Sequence, residues 1–70
     1  MVKIYKHFNK YNYAVLTLKV DYEQNTFTIY HGMSAPINYD EKVTKKYIKE
    51  YVEILRKLGL KEVVAKTNTR

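Results

Sequence analysis

Between Ala14 and Tyr22 the side chains alternate, with Ala14, Leu16, Leu18, Val20 and Tyr22 on one face and Val15, Thr17, Lys19 and Asp21 on the other. A period of two is the pattern of a strand with one face in a core. A polar turn, Glu23–Asn25, separates it from Thr26–His31, where Phe27 and Ile29 face one way and Thr28 and Tyr30 the other. The two segments are expected to form a hairpin with Tyr22 opposite Phe27. Val2–Phe8 reads as a third strand, with Val2, Ile4 and Phe8 on one side, interrupted by Lys6, and Lys3, Tyr5 and His7 on the other. A one-residue slip would turn Ile4 and Phe8 to solvent, so the next loop should hold an odd number of residues. The five residues Asn9–Tyr13 are the favoured choice, which sets Phe8 beside Ala14 and places Tyr5 opposite Thr17, facing outward.

The period then changes. From about Tyr39 to Leu58, residues Val43, Tyr47, Ile48, Tyr51, Val52, Ile54, Leu55 and Leu58 fill one half of a helical wheel, and Lys42, Lys45, Lys46, Lys49, Arg56 and Lys57 gather about the opposite pole. Asn38 with Glu41 fits a capping box at the start. Gly59 offers the left-handed residue that ends a helix, with Leu60 placed to pack back on Leu55. Beyond it, residues 60–66 can form a short fourth strand. A right-handed crossover would lay that strand parallel to the first, in the order 3-2-1-4. The expected fold is α+β: a three-stranded antiparallel meander packed on one C-terminal amphipathic helix, one domain over residues 1–66 with a free tail at 67–70.

A chain of 70 residues builds a small core, which unaided supplies roughly 3–5 kcal/mol. Association with a partner is therefore a reasonable expectation. There is no cysteine, so neither disulfides nor a thiolate metal site can supplement the core, and an intracellular, cytoplasmic home is favoured. Charges interrupt the N-terminal apolar run and no apolar window approaches the length of a membrane span. No membrane association is expected.

Candidate catalytic chemistry is sparse. The single serine, Ser34, has no recognisable relation to either histidine, and His7 and His31 are expected on opposite faces of the sheet. Asp40, Glu41, Glu50 and Glu53 lie among lysines, where pairs four apart such as Glu41 with Lys45 explain them locally. Two glycines, far apart, cannot form a phosphate-cradling loop. We expect no enzymatic activity, no metal and no cofactor.

The charge of +6 changes the picture most, since it favours a polyanionic partner. Part of it has a plainer origin: of 13 cations, 11 are lysine, and lysine, tyrosine, asparagine and isoleucine share codons rich in A and T. Two surfaces are candidates for nucleic acid. On the outward sheet face Tyr5, Lys19 and Tyr30 would form a diagonal row beside Lys3, a platform on which unpaired bases could stack. On the helix Lys42, Lys45, Lys46 and Lys49 repel one another, and a phosphate backbone would relieve the repulsion. With only Arg56 and Arg70 to read guanine edges, sequence specificity would be weak. The competing expectation is a protein-binding module, such as an inhibitor or accessory factor of a phage or mobile element. It would use an edge strand or the tyrosine-rich sheet face, in its simplest version to form a homodimer. In architecture alone, three antiparallel strands and a helix resemble the small sheet-reading DNA-binding domains at the N-termini of some transposon integrases; no motif carries the likeness further.

Overall fold

In a computed structural model, residues 1–32 and 35–65 are described. The three long strands are β1 (Val2–Phe8), β2 (Ala14–Asp21) and β3 (Thr26–His31). Two short ones follow, β4 (Glu41–Lys42) and β5 (Lys61–Glu62), on either side of helix α1 (Lys45–Lys57). They form one mixed sheet in the order β4-β1-β2-β3-β5, the long strands antiparallel and both short edges parallel to their neighbours. The α+β class holds, whereas the order 3-2-1-4 does not. After β3 the chain crosses to the outer edge of β1 before the helix begins, where the Asp40 amide donates to the Ile4 carbonyl and the Val43 amide to the Lys6 carbonyl. With that edge occupied, the strand leaving α1 pairs with β3 instead. The tail at 67–70 and Ser34 lie outside the described residues.

Helix α1 covers one face of the sheet. Leu18, Val20, Phe27, Ile48 and Leu55 are sealed in the core, together with Val52 and Tyr5. The faces assigned to β2 and β3 from their alternation are those observed for Leu16, Leu18, Val20, Phe27 and Ile29. Their register differs by two residues: Val20, not Tyr22, lies opposite Phe27. The cause is the turn, where the Asp21 carboxylate accepts from the amides of Glu23 and Gln24 and Asn25 takes a positive φ of 56°. This local hydrogen-bonded turn takes Tyr22 out of the strand.

β1 is inverted relative to expectation. The loop Asn9–Tyr13 has the expected five residues and Phe8 lies beside Ala14, but His7 already pairs with Leu16, so Val15 is an extra residue in β2. Such a bulge changes the parity of everything beyond it. Tyr5 is paired with Leu18, not Thr17, and points under the helix with Lys3 and His7, while Ile4, Lys6 and Phe8 face the opposite side. Water does not reach all of that side, because residues 35–39, ahead of β4, lie beside Lys6 and Phe8 there. The Tyr39 ring meets Phe8 edge to face at 5.4 Å, and Thr17 and Lys6 are buried there.

The helix also starts later than the pattern implied. Thr44 is its N-cap, accepting the Tyr47 amide at 2.9 Å, and the Asn38 capping box does not form. Asp40 instead accepts the Ile4 amide at 2.8 Å, tying β4 to β1. At the other end the reading was sound: Leu60 donates to the Leu55 carbonyl and Gly59, at φ 95°, to that of Arg56, the paired bonds of a left-handed stop. Thr44→Ala is expected to cost about 1 kcal/mol, and Asn38→Ala a few tenths at most, measured by urea denaturation; equal costs would contradict the observed cap.

Candidate functional site

The sheet divides the expected stacking row. Tyr5 is only 5% exposed, on the helix side, and Lys3 is on that side with it, its ammonium 3.7 Å from Glu41 and 6.0 Å from the Tyr5 ring centre. Lys19 and Tyr30 remain on the other face, half-buried and diagonal to one another, Lys19 opposite Thr28 and Tyr30 opposite Thr17. A single surface containing Tyr5, Lys19 and Tyr30 therefore does not exist. The histidines need the opposite correction. His7 and His31 both lie opposite Leu16, on one face rather than two, but two strand spacings separate them, on the order of 10 Å. His7 Nδ1 lies 3.2 Å from the Val43 carbonyl. Among the described residues no group of three or more His, Asp or Glu is placed to hold a metal.

Tyr5 belongs to a cluster under the helix. Its ring lies 5.9 Å from that of Tyr47 and 5.6 Å from that of Tyr51, and the Tyr22 and Tyr51 hydroxyls share a 2.7 Å hydrogen bond. Burial raises the phenol of Tyr5 and of Tyr22, and pushes Tyr51 up to about 12, where the hydrogen bond to Tyr22 adds to the effect. These groups hold protons in the folded chain that the unfolded chain would lose near pH 10. Their contribution is complete below that pH and is lost as the pH climbs toward the folded value, so stability should fall between about pH 10 and 12. The part of the phenolate absorbance due to Tyr5, Tyr22 and Tyr51 should then rise late and together with loss of helical circular dichroism. A smooth titration of all tyrosines near pH 10 with the fold intact would contradict the cluster.

The helix lysines do converge. Lys45, Lys46 and Lys49 are exposed on the first two turns of α1, whereas Lys42, expected on the helix, lies in β4 opposite Lys6 and over the Phe8 ring, on the sheet face away from the helix. The first turn of α1 contains no acid, so Lys45 and Lys46 oppose the positive end of the macrodipole, each at a cost of about 0.3–1 kcal/mol. The one ion pair among the four, Lys46 with Glu50 at 3.9 Å, is exposed and offsets little. Thr44 allows this arrangement, because a hydroxyl caps the helix without bringing a negative charge. The β1–β2 loop is at the same end as the start of α1, where Phe8 and Ala14 terminate their strands and β1 meets Val43. Asn9 shapes that loop by accepting the amides of Tyr11 and Tyr13, and both tyrosine rings are 68% exposed. Lys10 lies 5.3 Å from the Tyr11 ring centre, and Lys42 the same distance from that of Phe8. Sequence reasoning treated Asn9–Tyr13 only as a turn. Its own signal was the run of Lys10, Tyr11 and Tyr13 in a segment too short to bury them.

A second feature lies along the other flank of the helix. Between α1 and β3 runs a groove of about 550 Å³ floored by Leu16, Ile29, Ile48 and Val52, with Lys45, Lys49 and Glu53 at its rim. β5 pairs only with Thr26 and Phe27 of β3. Among the described residues no strand continues along that edge. Among the described residues no helix is long and apolar enough to cross a membrane. No protein-family model, curated protein or solved structure matches this chain.

Proposed function

We propose that this protein binds nucleic acid through the end of the molecule where the helix begins, with weak sequence specificity. One observation carries the reading: Lys45, Lys46 and Lys49 stand on the opening turns of a helix whose first turn lacks any acid, with Lys42 on the adjoining strand β4. That arrangement is unfavourable alone and is relieved by a row of phosphates. Tyr11 and Tyr13 extend from the adjoining loop, where unpaired bases could stack on them. Lys19 and Tyr30, on the sheet face away from the helix, are not needed, and neither are Tyr5 and Lys3. Arginine readout has little support, since Arg56 is at the far end of the helix, bonded to Glu62 at 3.0 Å. Anisotropy titrations with single-stranded DNA, RNA and duplex across a salt series test the reading. Log affinity should fall linearly with log salt, by about 0.9 for each duplex phosphate neutralised. Absence of micromolar binding to all three at low salt would overturn it.

A protein partner is the second reading, supported by the apolar groove beside the uncovered part of β3. An extended peptide could add to that edge and place alternate side chains in the groove. A second copy of the chain is the simplest such partner. Sedimentation at rising concentration would show association insensitive to salt and weakened by Ile29→Lys, whereas the polyanion reading expects a monomer.

A further inference from the structure

Lys6 sits where a cation is costly. It is 5% exposed on the sheet face away from the helix, and its ammonium donates to Thr17 Oγ1 at 3.2 Å. Thr17 is itself fully buried. A hydroxyl engages one of three ammonium protons, and among the described residues none of the ion pairs includes Lys6. Burial accordingly draws its ammonium below the ordinary lysine range. Buried charge is ordinarily paired, and an ammonium lacking a carboxylate in the fold is a place for one from outside.

The surroundings give that ligand a shape. Lys6 lines a cleft of about 290 Å³ with Phe8, Tyr13, Pro36, Ile37 and Tyr39. The walls are largely apolar, the Phe8 and Tyr39 rings meeting edge to face, and Lys42 stands over the Phe8 ring at 5.3 Å, supplying a second positive charge. We propose that this cleft binds a small organic anion, with an apolar unsaturated body among Phe8, Tyr13 and Tyr39 and one carboxylate or phosphate accepting hydrogen bonds from the Lys6 ammonium. A few polar groups in an apolar recess is the usual composition of a small-molecule site, and the cleft lies at the lower end of the usual size. The ligand can be a free small acid or the terminal phosphate of a nucleic-acid strand. This goes beyond the polyanion reading and does not depend on Lys45, Lys46 or Lys49, although Lys42 serves both.

The test is an NMR titration of the full chain with 4-hydroxybenzoate and adenosine 5′-monophosphate, each against its uncharged counterpart, 4-hydroxybenzamide and adenosine. At least one anion should bind at submillimolar to low-millimolar concentration, at least tenfold more tightly than its neutral counterpart. It should move the Lys6 Cε signal together with the Phe8 and Tyr39 rings. Lys6→Met should abolish that preference, and Lys6→Arg should retain part of it. If both anions bind, or the phosphate alone, a 5′-phosphorylated oligonucleotide against its unphosphorylated form identifies the strand end as a source; binding of the carboxylate alone assigns a free acid. Equal binding of charged and neutral probes, no binding up to the solubility limit, or an unchanged preference in Lys6→Met would overturn the proposal. If Lys6→Met does not fold, the Cε response of the native chain decides. Triple replacement of Lys45, Lys46 and Lys49 should leave this binding intact even where it removes polymer binding, which keeps the two readings separable.

Discussion

Tyr5→Ala is expected to destabilise the chain by roughly 3 kcal/mol, leaving about 0–2 kcal/mol of the roughly 3–5 kcal/mol that so small a core supplies, so that up to about half the molecules unfold. Tyr5 is nearly sealed under α1, between Tyr47 and Tyr51, and its loss opens a cavity beneath the helix that rigid strands cannot close. Tyr30→Ala, on the half-buried opposite face, should cost about 1 kcal/mol or less. The contrast is measured by urea denaturation followed by circular dichroism. If the two substitutions proved equally mild, β1 would have to lie in the register without the bulge, and Tyr5 would return to the outer surface.

The second large effect concerns affinity. Replacing Lys45, Lys46 and Lys49 by glutamine keeps an unbranched polar side chain of good helix propensity while removing the three charges at the start of α1. Each lost phosphate contact should lower the salt slope by about 0.9, so at about 50 mM salt the triple variant should bind duplex on the order of a thousand-fold more weakly. The same variant should be no less stable than the native chain, because Lys45 and Lys46 oppose the macrodipole in the free protein. A matched replacement of Lys57, Lys61 and Lys19, away from the helix start, should change affinity far less. Equal losses in the two triples would reduce the effect to net charge and remove the case for a defined surface.

The difference between Lys3, Tyr5, Lys19 and Tyr30 on one hand and the helix lysines on the other follows from what each assignment required. Lys45, Lys46 and Lys49 were placed together by a period local to one segment, and Lys42 fell away from them because the helix starts only after Thr44. The sheet row required the relative register of β1 and β2. One unpaired residue, Val15, is enough to move Tyr5 to the other side of the sheet. The aromatic and cationic residues Lys10, Tyr11 and Tyr13 were passed over because turn chemistry accounts for the asparagines around them, leaving their exposure without a local signature.

Local patterning carried the existence of the three long strands, the hairpin, the inward set Leu16, Leu18, Val20, Phe27 and Ile29, the amphipathic helix and its stop at Gly59. Each rests on interactions between near neighbours along the chain, which the order of residues states directly. The bulge at Val15, the placing of residues 35–39 on the outer face, the pairing of β4 with β1 and β5 with β3, and the enclosure of Tyr5 and Lys6 arise between segments far apart in the chain. There the winning arrangement is the one that covers the most apolar surface while bonding the backbone, and alternation along a single strand cannot reveal which distant segment will supply the cover.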